Sequence, residues 1–357
     1  MDEKPIGLAV IGTGRWGTGM GYALQRCKEF QIVTCCTRTK AKGDRFAQEF
    51  RCDHDATIHD VLKNDAVEAV LLTTPNTVHA EHAVLAAEHG KHVLVEKPIS
   101  ASISDARRMI EACKDGGVVL AVAHNQRRLA GYRRIKALLN AGSMGKVVSV
   151  ESNFSHNAGF KLTPEFWRWH ENECPGGPMM TMGVHAADTI QYLLGPVESV
   201  SAFFERLCLK TEIIDTGVAI LQFKSGTLGY LASNYVTPWN YFFNLYGTEG
   251  NLYFHLDLPF VNAPATAKYG DNWNYADRYS RLYIRKKGQD DKIEIPLEPG
   301  EILKEELEEF ADCIRTGSMS ETAGEEGLRA LAVILGAIRS AESGSIVKID
   351  EILAEEQ

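Results

Sequence analysis

The sequence predicts an α/β chain in which a doubly wound parallel sheet comes first and a second α/β domain with a large, mainly antiparallel sheet follows. Three observations predict it. Apolar, strand-like runs alternate with helical spacing up to about residue 125. A glycine-rich turn follows the first of those runs directly. Beyond residue 125 the pattern changes to alternation of polar and apolar residues. Strands alternating with helices build parallel sheets covered on both faces, whereas a period of two builds sheets with a single face in the core.

Taken in order, Ile6–Ile11 is an apolar run and Thr18–Lys28 has helical spacing. Gln31–Cys36 is rich in β-formers, Ala41–Phe50 reads as a helix and Ala69–Thr73 as a third strand. Val78–His89 is helical, Val93–Val95 is a fourth strand, Ile103–Asp115 is helical and Val118–Ala123 is a fifth strand. The helix Gly131–Ala141 then leads into Val147–Asn153, Val218–Phe223, Thr227–Asn234 and Tyr241–Tyr246, which read as half-buried antiparallel strands. Gly226 and Gly247–Gly250 supply turns between them. Leu256–Tyr279 is irregular, and the helices Glu301–Thr316 and Ala323–Ser343 close the chain. The expected division is 1–124 for the first domain and 125–357 for the second, with the last helix able to pack back on the first.

Composition narrows the function. With 38 Lys and Arg against 47 Asp and Glu, the formal net charge of −9 argues against a nucleic-acid partner. No apolar stretch approaches the ~20 residues that span a bilayer, and the chain enters its first strand without a signal-peptide pattern. The eight cysteines contain no CxxC pair, so no metal site is expected, and free thiols fit a cytoplasmic location.

Gly12-Thr13-Gly14-Arg15-Trp16-Gly17 has the GxGxxG spacing directly after a strand and opening a helix. The first glycine makes the tight turn, the second admits a pyrophosphate to the backbone, and the third lets the helix pack closely. The helix N-terminus then holds phosphate by its N–H groups and dipole. All six residues are expected to cradle a dinucleotide. The second strand ends near Thr37, where NAD-specific sites place a carboxylate on the ribose. Here Thr37-Arg38 stand instead, and Arg38 can pair with a 2′-phosphate, which favours NADP over NAD. Thr74-Pro75-Asn76 follows the third strand and His79 opens the next helix; these are further expected cofactor residues, as is Asn125 after the fifth strand. Glu96-Lys97-Pro98 follows the fourth strand, at the sheet end where open parallel sheets bind ligands, so all three are expected cofactor residues as well, and proline restrains the backbone of Lys97. In the second half, Thr181, His185 and Asp188 stand at i, i+4 and i+7, one helical face on which an Asp could orient a histidine base. Arg127 is within reach of the same cleft by its place after the fifth strand.

The glycine motif, Thr74-Pro75-Asn76 with His79, and Glu96-Lys97-Pro98 together resemble the Gfo/Idh/MocA oxidoreductase family. The resemblance continues through Trp167-Arg168, Gly176-Gly177-Pro178, the run Gly183 to Asp188, and Gly324 to Arg329 in the last helix. It implies a Rossmann domain followed by a mixed α/β domain. It also implies hydride transfer between a nicotinamide cofactor and a secondary alcohol or ketone of a sugar, cyclitol or cyclic diol. Lys97 then donates to the reacting oxygen and His185 handles the proton, with no metal required. Lys97, Arg127, Trp167, Arg168, Thr181, His185 and Asp188 are the implied substrate contacts. Relatives associate through the open face of the second sheet, which implies a homodimer or homotetramer. The chain departs from the family where Thr181 replaces the Asp common in cyclitol dehydrogenases. That departure keeps open a lyase or glycosidase using transient oxidation; a dinucleotide-binding regulator without catalysis is a separate alternative, against which Lys97 and His185 argue.

Overall fold

The computed structural model describes residues 4–259 and 273–355. Of the irregular stretch expected over Leu256–Tyr279, residues 260–272 therefore lie outside the described residues. The chain divides into two compact units, the first holding residues up to Asn125 together with Glu301–Leu328, the second holding Gln126 onward and Arg329 onward.

The first unit is a six-stranded sheet built from β1 (Ile6–Ile11), β2 (Phe30–Cys36), β3 (Asp53–Asp55), β4 (Ala69–Leu72), β5 (His92–Val95) and β6 (Leu120–Val122). Its order is β3-β2-β1-β4-β5-β6, with every pairing parallel. Strand order reverses between β1 and β4, the crevice where such sheets bind ligands. β1 and β4 are buried throughout because helices cover both faces. Helix α1 (Arg15–Leu24) begins three residues earlier than helical spacing suggests, because Gly14 and Gly17 hide its first turn from a hydrophobic-period reading. The three residues of β3 lack any apolar run; pairing Thr34 with Asp53 and Cys36 with Asp55 creates this strand from polar sequence. Helices α2 (Lys40–Phe50), α3 (Ile58–Leu62), α4 (His79–Glu88) and α5 (Ile103–Asp115) complete the alternation.

The second unit holds a nine-stranded sheet: β7 (Val147–Ser155), β8 (Val197–Glu205), β9 (Thr216–Phe223), β10 (Leu228–Asn234), β11 (Asn240–Gly247), β12 (Gly250–Leu256), β13 (Ser280–Lys286), β14 (Ile293–Ile295) and β15 (Val347–Lys348). The order is β14-β13-β12-β11-β7-β10-β9-β8-β15; β7 and β10 run parallel and the other pairs antiparallel. Burial alternates along β9, β11 and β12, so one face is core and the other is open. Helix α6 (Ala130–Asn140) lies against the buried face, where Gly131 leaves room for Phe254; a Cβ there would stand 2.1 Å from that ring. β8, β12, β13, β14 and β15 are strands beyond those expected from sequence, although β12 and β13 alternate inward and outward residues as regularly as the strands that were.

Candidate functional site

The first unit gathers its functional residues at the carboxyl ends of its strands. Gly12 follows β1 with φ +100°, and a Cβ there would meet the Thr73 carbonyl at 2.8 Å. At Gly17 a Cβ would stand 2.0 Å from the Gly12 carbonyl oxygen. Gly14 differs: a Cβ there meets nothing within 4 Å. Two of the glycines therefore close the turn and the third faces open space, as a backbone cradle for a phosphate requires. Gly14 caps α1 without any side-chain bond, and no acidic residue occupies the first turn. That N-terminus keeps its positive end for an anion. The buried Thr13 and Thr74 hydroxyls find no protein partner among the described residues. Buried hydroxyls need partners, so these two are suited to a bound polar ligand. The residues present fit a dinucleotide.

Thr37 follows β2 half-buried, and Arg38 is exposed beside it. No carboxylate occurs from Thr37 to Lys40. After β4, Thr74 and Pro75 are half-buried, and Asn76 is buried. His79 is fully buried. Its Nε2 lies 3.0 Å from the Thr74 carbonyl and its Nδ1 3.1 Å from that of Pro98. Burial pulls this imidazole down to about 4, so it is neutral at pH 7. A neutral ring carries one N–H, so it donates on one side only, either to Thr74 or to the Pro98 and Ile99 carbonyls, and the ring expected to contact cofactor is enclosed between these loops. Glu96, buried, accepts the indole N–H of Trp16 on one carboxylate oxygen and the Lys97 N–H at 3.2 Å on the other. Lys97 is half-buried, and its bond to Pro98 is cis.

The second unit builds its candidate residues around helix α7 (Val184–Leu194), preceded by a π-helical turn over Met179–Gly183. The wider turn replaces the regular helical face expected for Thr181, His185 and Asp188. Thr181 lies in it, donating to the Gly177 carbonyl at 3.2 Å and bonding the Tyr235 hydroxyl. Tyr235 was not singled out by sequence; lying 54 residues away, it carries no spacing signal. His185 is buried, with its ring 6.3 Å from that of Phe154. Phe154 in turn neighbours His156, Trp239 and Tyr241, and His156 stacks on Tyr235 at 5.4 Å. Burial lowers His156 to about 4 and the nearby Arg168 charge adds to that. Arg168 is exposed and lies 4.8 Å over the half-buried Trp167.

Asp188 has a partner beyond the one its spacing suggests. Its carboxylate takes a bidentate pair of bonds from Arg127, 2.9 Å from Nε and 2.7 Å from Nη2, with both side chains almost wholly buried. Arg127 also lies 5.0 Å over the ring of Tyr192. The fork of a guanidinium matches a carboxylate in this way, so Asp188, expected to orient His185, also forms a buried ion pair with Arg127. Asn125 and Arg128 are buried as well. Among the described residues no group of His, Cys, Asp and Glu is placed to hold a metal ion, all eight cysteines are free thiols, and no helix is long and apolar enough to cross a membrane.

Comparison with known proteins follows the same division. Residues 6–124 match the Gfo/Idh/MocA oxidoreductase family's NAD-binding Rossmann domain, and residues 132–253 match a Gfo/Idh/MocA C-terminal domain. A crystal structure of a provisionally described NADPH-dependent oxidoreductase from Desulfitobacterium hafniense superposes with a TM-score of 0.92 at 35% identity, covering 99% of this chain and 100% of that one. The 1,5-anhydro-D-fructose reductase of Ensifer adhaerens is 25% identical over 90% of this chain and 91% of its own length. The NADP-dependent D-xylose 1-dehydrogenase of Haloarcula marismortui is 27% identical over 98% and 94%.

Proposed function

The chain belongs to the Gfo/Idh/MocA family of NAD(P)-dependent oxidoreductases, and from that premise we propose that its substrate is a polyol or sugar-like molecule reacting at a secondary alcohol or ketone. The observation that carries the reading is Lys97, delivered by β5 at the same sheet end as the Gly14 cradle. When bound, the nicotinamide takes or returns hydride. Lys97 Nζ donates a hydrogen bond to the reacting oxygen and stabilises developing alkoxide charge. His185 takes the hydroxyl proton on its imidazole, or returns it in the reductive direction. Trp167 offers an aromatic face to the apolar side of a ring, and Arg168 offers donors to its hydroxyls. With Arg127 and Asp188 engaged with each other, Thr181 bonded to Tyr235, and His79 enclosed, their part is to hold the scaffold. Arg38, with no carboxylate beside it, supports NADP over NAD.

The experiment is titration with NADP and NAD, followed by a panel of polyols and keto-sugars read at 340 nm with the tighter cofactor. NADP is expected to bind more tightly, and at least one secondary alcohol to react. Lys97→Ala is expected to lower turnover by about a thousandfold or more with cofactor affinity nearly unchanged. Full turnover in that variant removes the assignment. Product formed with no net change at 340 nm points instead to a lyase acting by transient oxidation, and cofactor binding with silence across the panel to a regulator.

We also place a subunit interface on the open face of the second sheet and the protein in the cytoplasm, where its eight free thiols persist. Phe203 (78% exposed) stands opposite Val218 on that face, and Ile220 (52%) opposite Tyr230. Exposed apolar groups gathered in this way mark interaction sites. A molar mass by light scattering of two or four times 39.5 kDa is expected; a monomer removes the interface.

A further inference from the structure

We propose that Trp16 and Glu96 form a positioning pair for Lys97, coupling the first turn of the phosphate-cradling helix to the reach of the lysine, a role that rests on the reading of Lys97 as the group acting on substrate. Both residues carry side chains that a sequence reading assigns to the cofactor itself. The geometry assigns them to each other. The Glu96 main-chain N–H donates to the Leu72 carbonyl at 2.9 Å, which extends the β4–β5 ladder one residue past the strand. Glu96 is only 7% exposed. One carboxylate oxygen accepts the Trp16 indole N–H, and the other accepts the Lys97 main-chain N–H at 3.2 Å.

A carboxylate removed from water is stable only where donors replace the lost hydration, and bonds to an ionised acceptor are the stronger kind. Glu96 is therefore tied to the geometry that supplies both donors. Trp16 is the second residue of α1, so its indole moves with the N-terminus on which a pyrophosphate would rest. The loop is anchored beyond the lysine as well. The carbonyls of Pro98 and Ile99 lie 3.1 and 3.3 Å from His79 Nδ1, and the opposite nitrogen faces Thr74. Lys97 thus stands between a carboxylate bridge on one side and a buried imidazole on the other. Its four-carbon stem is flexible, so the placement of Nζ depends on where its backbone is held. Small displacements of a reacting group cost about a hundredfold in rate.

The test uses Trp16→Phe, which keeps an aromatic ring and removes the N–H, and Glu96→Gln, which keeps the shape and removes the charge. Each is expected to lower kcat tenfold or more, with cofactor Kd and substrate KM within threefold of the parent. A second readout needs neither cofactor nor substrate. In the ligand-free protein, the rate of Lys97 acetylation by acetic anhydride, mapped by mass spectrometry against the other lysines, is expected to change at least threefold. Parental kcat and a parental Lys97 rate in Trp16→Phe overturn the pair. A raised Kd with parental kcat at saturation also overturns it, because Trp16 and Glu96 are then cofactor contacts. If the parent protein turns over nothing on the panel, or Lys97→Ala retains turnover, the functional reading fails, and the acetylation rate alone still decides whether the pair holds the lysine.

Discussion

The two units place their functional residues by different means. In the first unit the residues are placed largely by backbone: a turn at Gly12, an open approach at Gly14, an uncapped helix end, and carbonyls of Thr74, Pro98 and Ile99 around His79. In the second unit they are placed by side chains paired over long separations, Arg127 with Asp188 and Thr181 with Tyr235, and by an aromatic cluster around Phe154 that includes His185. The difference teaches why the placement of residues can be read from motifs in the first unit and side-chain partners cannot be read in the second. Glycine and proline leave their conformational requirement in the sequence, whereas a carboxylate does not announce which cation it meets.

The comparison breaks most visibly at Asp188. Replacing it with Ala strands a buried guanidinium, and about 3–5 kcal/mol of stability should be lost in a urea melt. Replacing both partners, as Arg127→Met with Asp188→Leu, should cost much less because no buried charge is left. Equal losses in the single and double variants would show that the pair is not an internal one.

Acid acts on both units through one mechanism and sharpens the comparison. His79 in the first unit and His156 in the second are each lowered to about 4 by burial. Their folded values lie below the unfolded value of 6.5, so as pH falls the unfolded chain binds the proton first. Stability is therefore full above about pH 6.5 and declines as pH drops toward 4, by about 3 kcal/mol for the fully buried His79. A series of denaturant midpoints between pH 7 and 4 measures the slope, and His79→Asn should reduce it. An unchanged slope in that variant would refute the assignment of this loss to His79.

The smallest effect separates backbone roles within the first unit. Gly14→Ala adds a Cβ to open space at φ −69°, so the melting temperature should stay near the parental value. Cofactor affinity should fall about tenfold, near 1.4 kcal/mol, because the methyl group occupies the approach of the phosphate. Gly17→Ala, with its Cβ 2.0 Å from a carbonyl oxygen, should lower stability as well. If Gly14→Ala leaves affinity intact, the cradle does not lie there.

Much of this architecture was legible in advance. The parallel sheet, its glycine turn, Lys97 at a strand end, and four strands of the second sheet follow from periodicity and from residues whose backbone demands are local. By itself the sequence determined the fold class, the dinucleotide cradle and the family, because each depends on spacing along a single element or turn. Only the tertiary structure decided that Asp188 serves Arg127, that Thr181 lies in a π-helical turn against Tyr235, that His79 is enclosed, and that Glu96 answers to Trp16. Those partners are 54 to 80 residues apart where side chains meet directly. Hydrogen bonds and ion pairs are chosen by distance in space after the core has closed, and no local period encodes that choice.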